Sequence, residues 1–130
     1  LYFYEGNWEK SCLILQEAAH RNPPITMQHS RYEGKGLTKC ESFFKLEPEI
    51  LYLSGIKKSE DGKSVIVRFY NPTEETVHGR LWSRAGIVKA RLLNLNEEPI
   101  KDLDVDDGHT IVLEVPKKKI ITLGLEYSKE

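Results

Sequence analysis

From Ser42 onward the chain alternates short apolar stretches with turn-forming clusters, and the stretches are too brief for helices. Residues 43–46 and 50–56 read as strands split by Pro48, which lacks the donor that a central strand needs. Ser59-Glu60-Asp61-Gly62 is turn chemistry, because Gly62 can adopt positive φ where the chain reverses. The pattern therefore predicts a hairpin between residues 51–56 and 64–70. In its second strand Val65, Val67 and Phe69 alternate with Ile66, Arg68 and Tyr70, which makes one face core and the other mixed. Asn71-Pro72-Thr73-Glu74-Glu75 then turns the chain into a strand at 76–83. Later strands are expected at 88–95, 103–105, 109–115 and 120–126, separated by residues 96–99, by Asp106-Asp107-Gly108 and by the Pro116 turn.

The first forty residues follow a different rhythm. Residues 1–4 are aromatic and β-prone and end at Glu5-Gly6. Asn7 can then cap a helix whose apolar residues Trp8, Cys12, Leu15 and Ala19, with Ala18 on the flank, recur at three- and four-residue spacing until Asn22-Pro23-Pro24. Residues 25–28 read as a strand and residues 32–39, with Gly34 and Gly36, as a loop. Strands arriving roughly every 8–12 residues, with a single helix, point to a mainly β fold: an antiparallel β-sandwich of the Ig-like or super-sandwich type with one N-terminal helix. A parallel α/β sheet would need more crossover helices than this pattern offers. The expected organisation is a strand-helix-loop segment over residues 1–40 that continues a preceding domain, then the sandwich over 41–130.

Composition supports a folded core. At 130 residues, 39% hydrophobic and 30% charged, the chain is neither a disordered tail nor too short to stand without disulfides or metal. A net charge of −1 provides no general attraction to nucleic acid or to anionic lipid, so neither is expected as a partner. No apolar run is long enough to span a membrane, and the first residues lack the basic start of a signal peptide. The chain begins without Met, as a piece of a longer protein would. Cys12 and Cys40 read as reduced thiols, and the excess of Glu and Lys over Asp and Arg, with few Gln, points to a thermophilic and intracellular source, so the expected location is the cytoplasm.

Chemistry-bearing clusters are sparse. His20, His29, His78 and His109 lie on separate elements, without the companion ligands at the spacing that zinc sites use. No serine sits in a nucleophile elbow. Paired carboxylates could in principle hydrolyse glycosides, but Glu97, Glu98, Asp102, Asp104, Asp106 and Asp107 cluster in turns, where solvation explains them. The reading is therefore that no catalytic or metal site lies in these residues.

The strand at 76–83 raises a different question. Val77 and Leu81 share one face, which places His78, Arg80 and Trp82 on the other. An outward Trp beside Arg suits a docking surface or a sugar-stacking platform, and Arg68 and Tyr70 on the mixed face of the hairpin pose the same question. Arg68, Tyr70, Arg80 and Trp82 are thus the candidate docking or sugar-contact face.

Leu1-Tyr2-Phe3-Tyr4-Glu5-Gly6-Asn7-Trp8 is similar to a Leu-Tyr-Pro-His-Glu-Gly-Asp-Trp motif, with Phe3-Tyr4 in place of Pro-His and Asn7 in place of Asp, found in the C-terminal part of glycoside hydrolase family 38 α-mannosidases, which the motifs that follow also resemble in order. The helix ending at Asn22-Pro23-Pro24 resembles a family helix ending in Asn-x-Pro-Leu. Ser42-Phe43-Phe44-Lys45-Leu46-Glu47-Pro48, the strand over 51–57, Val67-Arg68-Phe69-Tyr70-Asn71-Pro72-Thr73 and the stretch over 92–99 resemble further family segments. The resemblance implies a parent enzyme that removes terminal α-mannosides with retention, using an Asp nucleophile and a divalent metal, typically zinc, in an N-terminal domain. None of those residues has a counterpart here, so no cofactor is expected in these 130 residues. The implied role is a non-catalytic module that supports the catalytic domain and carbohydrate recognition. Its implied partners are that domain and mannose-containing carbohydrate, with a homo-oligomer left open. The alternative reading is an independent carbohydrate-binding or Ig-like interaction module built on Trp82, Arg80 and Tyr70.

Overall fold

A computed structural model describes residues 42–128, together with residues 3, 5–8, 13 and 17. The chain divides into two units, Leu1–Ser42 and Phe43–Glu130. Of the helix expected after Asn7, the described positions are Trp8, which lies in a turn, and Leu13 and Glu17, both helical. The expected strand at 25–28, the loop at 32–39, Cys12, Cys40, His20 and His29 lie outside the described residues.

The second unit is an antiparallel sandwich of eight strands: β1 (Phe44–Glu47), β2 (Tyr52–Lys58), β3 (Val65–Tyr70), β4 (Val77–Ser83), β5 (Ile87–Leu93), β6 (Pro99–Leu103), β7 (Thr110–Val115) and β8 (Ile120–Tyr127). One sheet has the order β1-β4-β7, the other β2-β3-β8-β5-β6. Only the β2–β3 and β5–β6 connections stay within one sheet; the others pass between sheets. The inward-facing residues of both sheets build one core: Leu81, Ile111 and Val115 from the smaller sheet meet Val67, Phe69, Ala90, Leu123 and Leu125 from the larger, with Leu51 entering from the β1–β2 turn. Removing a side chain such as Phe69 from water contributes about 1.5–3 kcal/mol, and the alternation in β3 is the direct imprint of that burial.

The hairpin expected at Gly62 is present, with Gly62 at φ 72° and Tyr52 to Lys58 paired against Tyr70 to Val65. Other boundaries move. The strand expected at 103–105 lies instead at Pro99–Leu103, where it pairs only with β5. Its residues are mostly exposed, so the apolar signal that marks inner strands is absent, and Pro99 is tolerated because the strand is at the sheet edge. His109 was expected in the following strand but belongs to the turn, since its backbone N–H donates to Asp106 O at 3.0 Å and Asp106 bridges to Thr110.

The β3–β4 crossing is held by a buried amide. Asn71 Nδ2 donates to the carbonyls of Glu75, Val115 and Pro116 at 2.7, 3.0 and 3.2 Å, and its Oδ1 accepts from Thr73 N–H and Thr73 Oγ at 2.9 and 2.7 Å. Side-chain amides replace the ladder bonds lost where the chain leaves a sheet.

Candidate functional site

The four residues singled out by sequence do not form one face. Arg80 and Trp82 lie on β4 of the smaller sheet, whereas Arg68 and Tyr70 lie on β3 of the larger one, and both pairs point away from the core between them. The physical reason is the crossing at Asn71, which sends consecutive strands to opposite layers. A single platform of Trp82, Arg80 and Tyr70 is therefore excluded.

On the smaller sheet, Lys45 pairs across to Trp82 and Glu47 to Arg80. The Lys45 ammonium sits 5.6 Å from the Trp82 ring centroid, a cation–π contact, and the His109 ring stacks near the indole at 6.5 Å and 24°. His109 Nδ1 is 2.9 Å from Ser83 O, which gives this histidine a structural partner. Lys45, Glu47, Arg80 and Trp82 enclose a notch of about 180 Å3, below the roughly 300–1,000 Å3 range of small-molecule sites. Trp82 is half-buried, and Val112, opposite Arg80, is exposed.

The larger sheet has a different outer surface. Its register places Lys57, Ile66, Gly124, Arg91 and Asp102 in one row across all five strands. The β5–β6 turn, residues 94–98, folds back over this row. Arg68 Nε donates to Thr122 Oγ1 at 3.2 Å and Arg68 Nη2 to Leu95 O at 3.4 Å, so the arginine links sheet and turn rather than pointing freely outward. Asn94 closes the turn by accepting Asn96 N–H and Glu98 N–H on Oδ1 at 2.9 and 3.0 Å. Glu97 sits at φ 67°, a left-handed conformation that costs a non-glycine residue about 1–2 kcal/mol. From there its carboxylate reaches Lys57 Nζ at 2.5 Å. Tyr70 packs on Tyr52, with ring centroids 5.1 Å apart, and burial raises the Tyr70 pKa above 10.0.

Between the β2–β3 turn and the β5–β6 turn this folding leaves a groove of about 610 Å3. Its floor is Ile66, Leu93 and Gly124; its walls include Ser59, Asp61, Asn96, Glu97, Arg91 and Glu126. Arg91 Nη2 meets Glu126 at 2.9 Å and Arg91 Nε meets Asp102 at 3.5 Å. Asp61 Oδ1 accepts Ser59 Oγ at 2.6 Å and Lys63 N–H at 3.1 Å, and these hydrogen bonds hold its pKa below 3.8. A general acid needs the opposite shift. Sequence reasoning missed this groove because its walls come from turns far apart in the chain; Gly124 inside an apolar strand was the one available signal.

Among the described residues no group of three or more His, Cys, Asp or Glu could hold a metal ion. No helix of the described residues is long and apolar enough to cross a membrane. The family model for the glycosyl hydrolases family 38 C-terminal beta sandwich domain matches residues 51–123, more than half of the chain. The chain belongs to that family. The match covers β2 to β7 and the first part of β8, and so contains the Asn71 crossing, the Trp82 strand and the turn that roofs the groove. No curated protein matches the chain. As a family 38 C-terminal sandwich, the chain is a module of a glycoside hydrolase family 38 protein, and the resemblance noted at residues 51–57, 67–73 and 92–99 falls within the matched span.

Proposed function

We propose that this chain is the non-catalytic C-terminal module of an α-mannosidase, packing against an N-terminal catalytic domain that carries the nucleophile and a divalent metal such as zinc. The observation that carries the reading is the family match over residues 51–123. Among the described carboxylates, Glu97, Asp102 and Glu126 are engaged by Lys or Arg, and hydrogen bonds from Ser59 and Lys63 hold Asp61 below the usual carboxylate range. The face formed by Arg80, Trp82 and Val112 supplies a docking surface for the catalytic domain, with an aromatic and an arginine of the kind enriched at protein interfaces. Residues 1–40 continue the preceding domain in this reading, and in the cytoplasm the module supports the catalytic domain and its recognition of mannose-containing carbohydrate.

The test is hydrolysis of an aryl α-mannoside by the purified 130-residue chain with zinc supplied. The expected result is a rate equal to buffer. Turnover that scales with protein concentration would overturn the proposal.

A further inference from the structure

We propose that the open edge of β7 is a self-association site, at which it pairs antiparallel with β7 of a second copy of this chain across a twofold axis at Leu113. The two smaller sheets then join into one continuous sheet, β1-β4-β7-β7-β4-β1. The pairing is independent of the α-mannosidase reading.

The hydrogen-bonding of the ladder leaves this edge open. Among the described residues β7 lies at the end of its sheet and pairs only with β4. Ser83 N–H donates to His109 O at 2.9 Å. Opposed residues alternate between bonded and non-bonded pairs, so Leu81 with Ile111, Gly79 with Leu113 and Val77 with Val115 exchange the main-chain bonds of the β4–β7 ladder. The N–H and C=O of Val112 and Glu114 therefore point away from β4. Thr110 points the same way, but its N–H donates to Asp106 O at 2.8 Å and its carbonyl accepts Asp106 N–H at 2.7 Å, so the open stretch is residues 112–114.

Sheet edges are normally blunted by charge, proline, a bulge or shortness, and the other edges of this sandwich are. β1 has 4 residues and stops at Pro48. β2 carries a bulge between Leu53 and Gly55 and ends in Lys57-Lys58; β6 begins at Pro99 and bears Lys101 and Asp102. β7 reads Thr-Ile-Val-Leu-Glu-Val, without lysine, proline, glycine or bulge. Val112, on its outward face, is 55% exposed, and Leu113, on the inward face, is only half-buried where it packs on the core.

The order of residues in β7 suits a second copy. A twofold at Leu113 sets Val112 opposite Glu114 of the second copy and Glu114 opposite its Val112. Both residues present free main-chain groups, so each couple exchanges both hydrogen bonds. Leu113 meets its twin on the core side, and the stem of Glu114 covers Val112 on the other. Like charges do not stand directly opposite, because the two Glu114 side chains are offset along the diagonal. A twofold at Val112 is poorer, since it asks Thr110 to pair with Glu114 and the Asp106 bridge already occupies Thr110. Pairing runs along the edge and leaves Arg80 and Trp82 on the outward face. One strand pair covers less than the ~1,200 Å2 of a standard stable interface, so the dimer is a weak one.

The test is sedimentation velocity of the 130-residue chain from ~10 μM to ~1 mM, with backbone amide shifts and hydrogen exchange of the 15N-labelled chain over the same range. The expected result is a monomer–dimer equilibrium with Kd on the order of 0.1 mM, and concentration-dependent shifts and protection at Val112 and Glu114. Val112→Glu sets like charges directly opposite in the dimer, while Arg80 across β4 accommodates the new carboxylate in the monomer, so association should weaken by about fivefold or more. Val112→Lys, facing Glu114 of the second copy, should associate at least as tightly as wild type. Ile100→Glu, on the β6 edge, should change nothing. A chain still monomeric at ~1 mM, a dimer whose shifts fall outside β7, Val112→Glu that dimerises as tightly as wild type, or Val112→Lys weakened as much as Val112→Glu would each overturn the proposal. Because the readout is association rather than turnover, none of these results bears on the non-catalytic reading.

Discussion

Replacing Asn71 tests whether one buried amide holds the two sheets in their relation. The side chain is fully buried, accepts two hydrogen bonds from Thr73 and shares its two N–H bonds among the carbonyls of Glu75, Val115 and Pro116. Three carbonyls around Nδ2 and a backbone N–H at Oδ1 make the amide orientation unambiguous. In Asn71→Ala about four hydrogen bonds vanish at ~0.5–1.5 kcal/mol each, and buried carbonyls lose a partner, so the expected loss is about 3 kcal/mol. For a domain of this size that corresponds to a Tm decrease of ~12–24 °C. Asn71→Asp is the sharper variant. It keeps the shape and the bonds from Thr73, but it sets a carboxylate oxygen against three carbonyls. Its destabilisation should exceed that of Asn71→Ala at neutral pH. Burial raises the folded-state pKa of the substituted carboxyl, so the deficit relative to wild type grows as pH rises through the unfolded value of ~4 and shrinks below it, where the protonated group can donate. Urea denaturation of the three proteins at pH ~7 and pH ~4, with the midpoint and m compared, measures both effects. A loss under ~1 kcal/mol in Asn71→Ala, or an Asn71→Asp deficit that does not respond to pH, would refute the reasoning.

Two further outcomes follow from packing and ionisation. In Gly79→Ala the new Cβ would lie 2.9 Å from Val115 Cγ2 and 3.0 Å from Leu51 Cδ1. Overpacking against the stiff valine costs ~1–3 kcal/mol, less ~0.4–1 from a less flexible unfolded chain, so a net loss of about 1–2 kcal/mol should appear as a lower denaturation midpoint; unchanged or higher stability contradicts it. Tyr127 is half-buried, and burial raises its pKa above 10.0, partly opposed by the hydrogen bond with Ser83 Oγ at 3.2 Å. The folded state then keeps a proton that the unfolded state releases, so wild-type stability falls as pH rises above about 10. Tyr127→Phe should lose that part of the alkaline decline, which denaturation at pH ~8 and pH ~11 reads directly; parallel declines in the two proteins would dismiss it.

Much of the local architecture is legible in the residues. The Val65, Val67, Phe69 alternation names the inner face of β3, Gly62 marks the hairpin, and Val77 with Leu81 puts Trp82 outward, because an apolar period of two reports which side of a strand leaves water. The family motifs at 67–73 and 92–99 are legible for the same local reason. Periodicity says nothing about which sheet a strand joins. That choice is made by long-range pairing and by crossings such as the one at Asn71, and it is what parted Arg80 and Trp82 from Arg68 and Tyr70. Edge position made β6 unreadable, since a strand with little core contact carries little apolar signal. The groove depended most on tertiary structure. Lys57, Gly124 and Arg91 become neighbours only when β2, β3, β8 and β5 take their order in the sheet, and Glu97 reaches Lys57 only because the β5–β6 turn folds back across it.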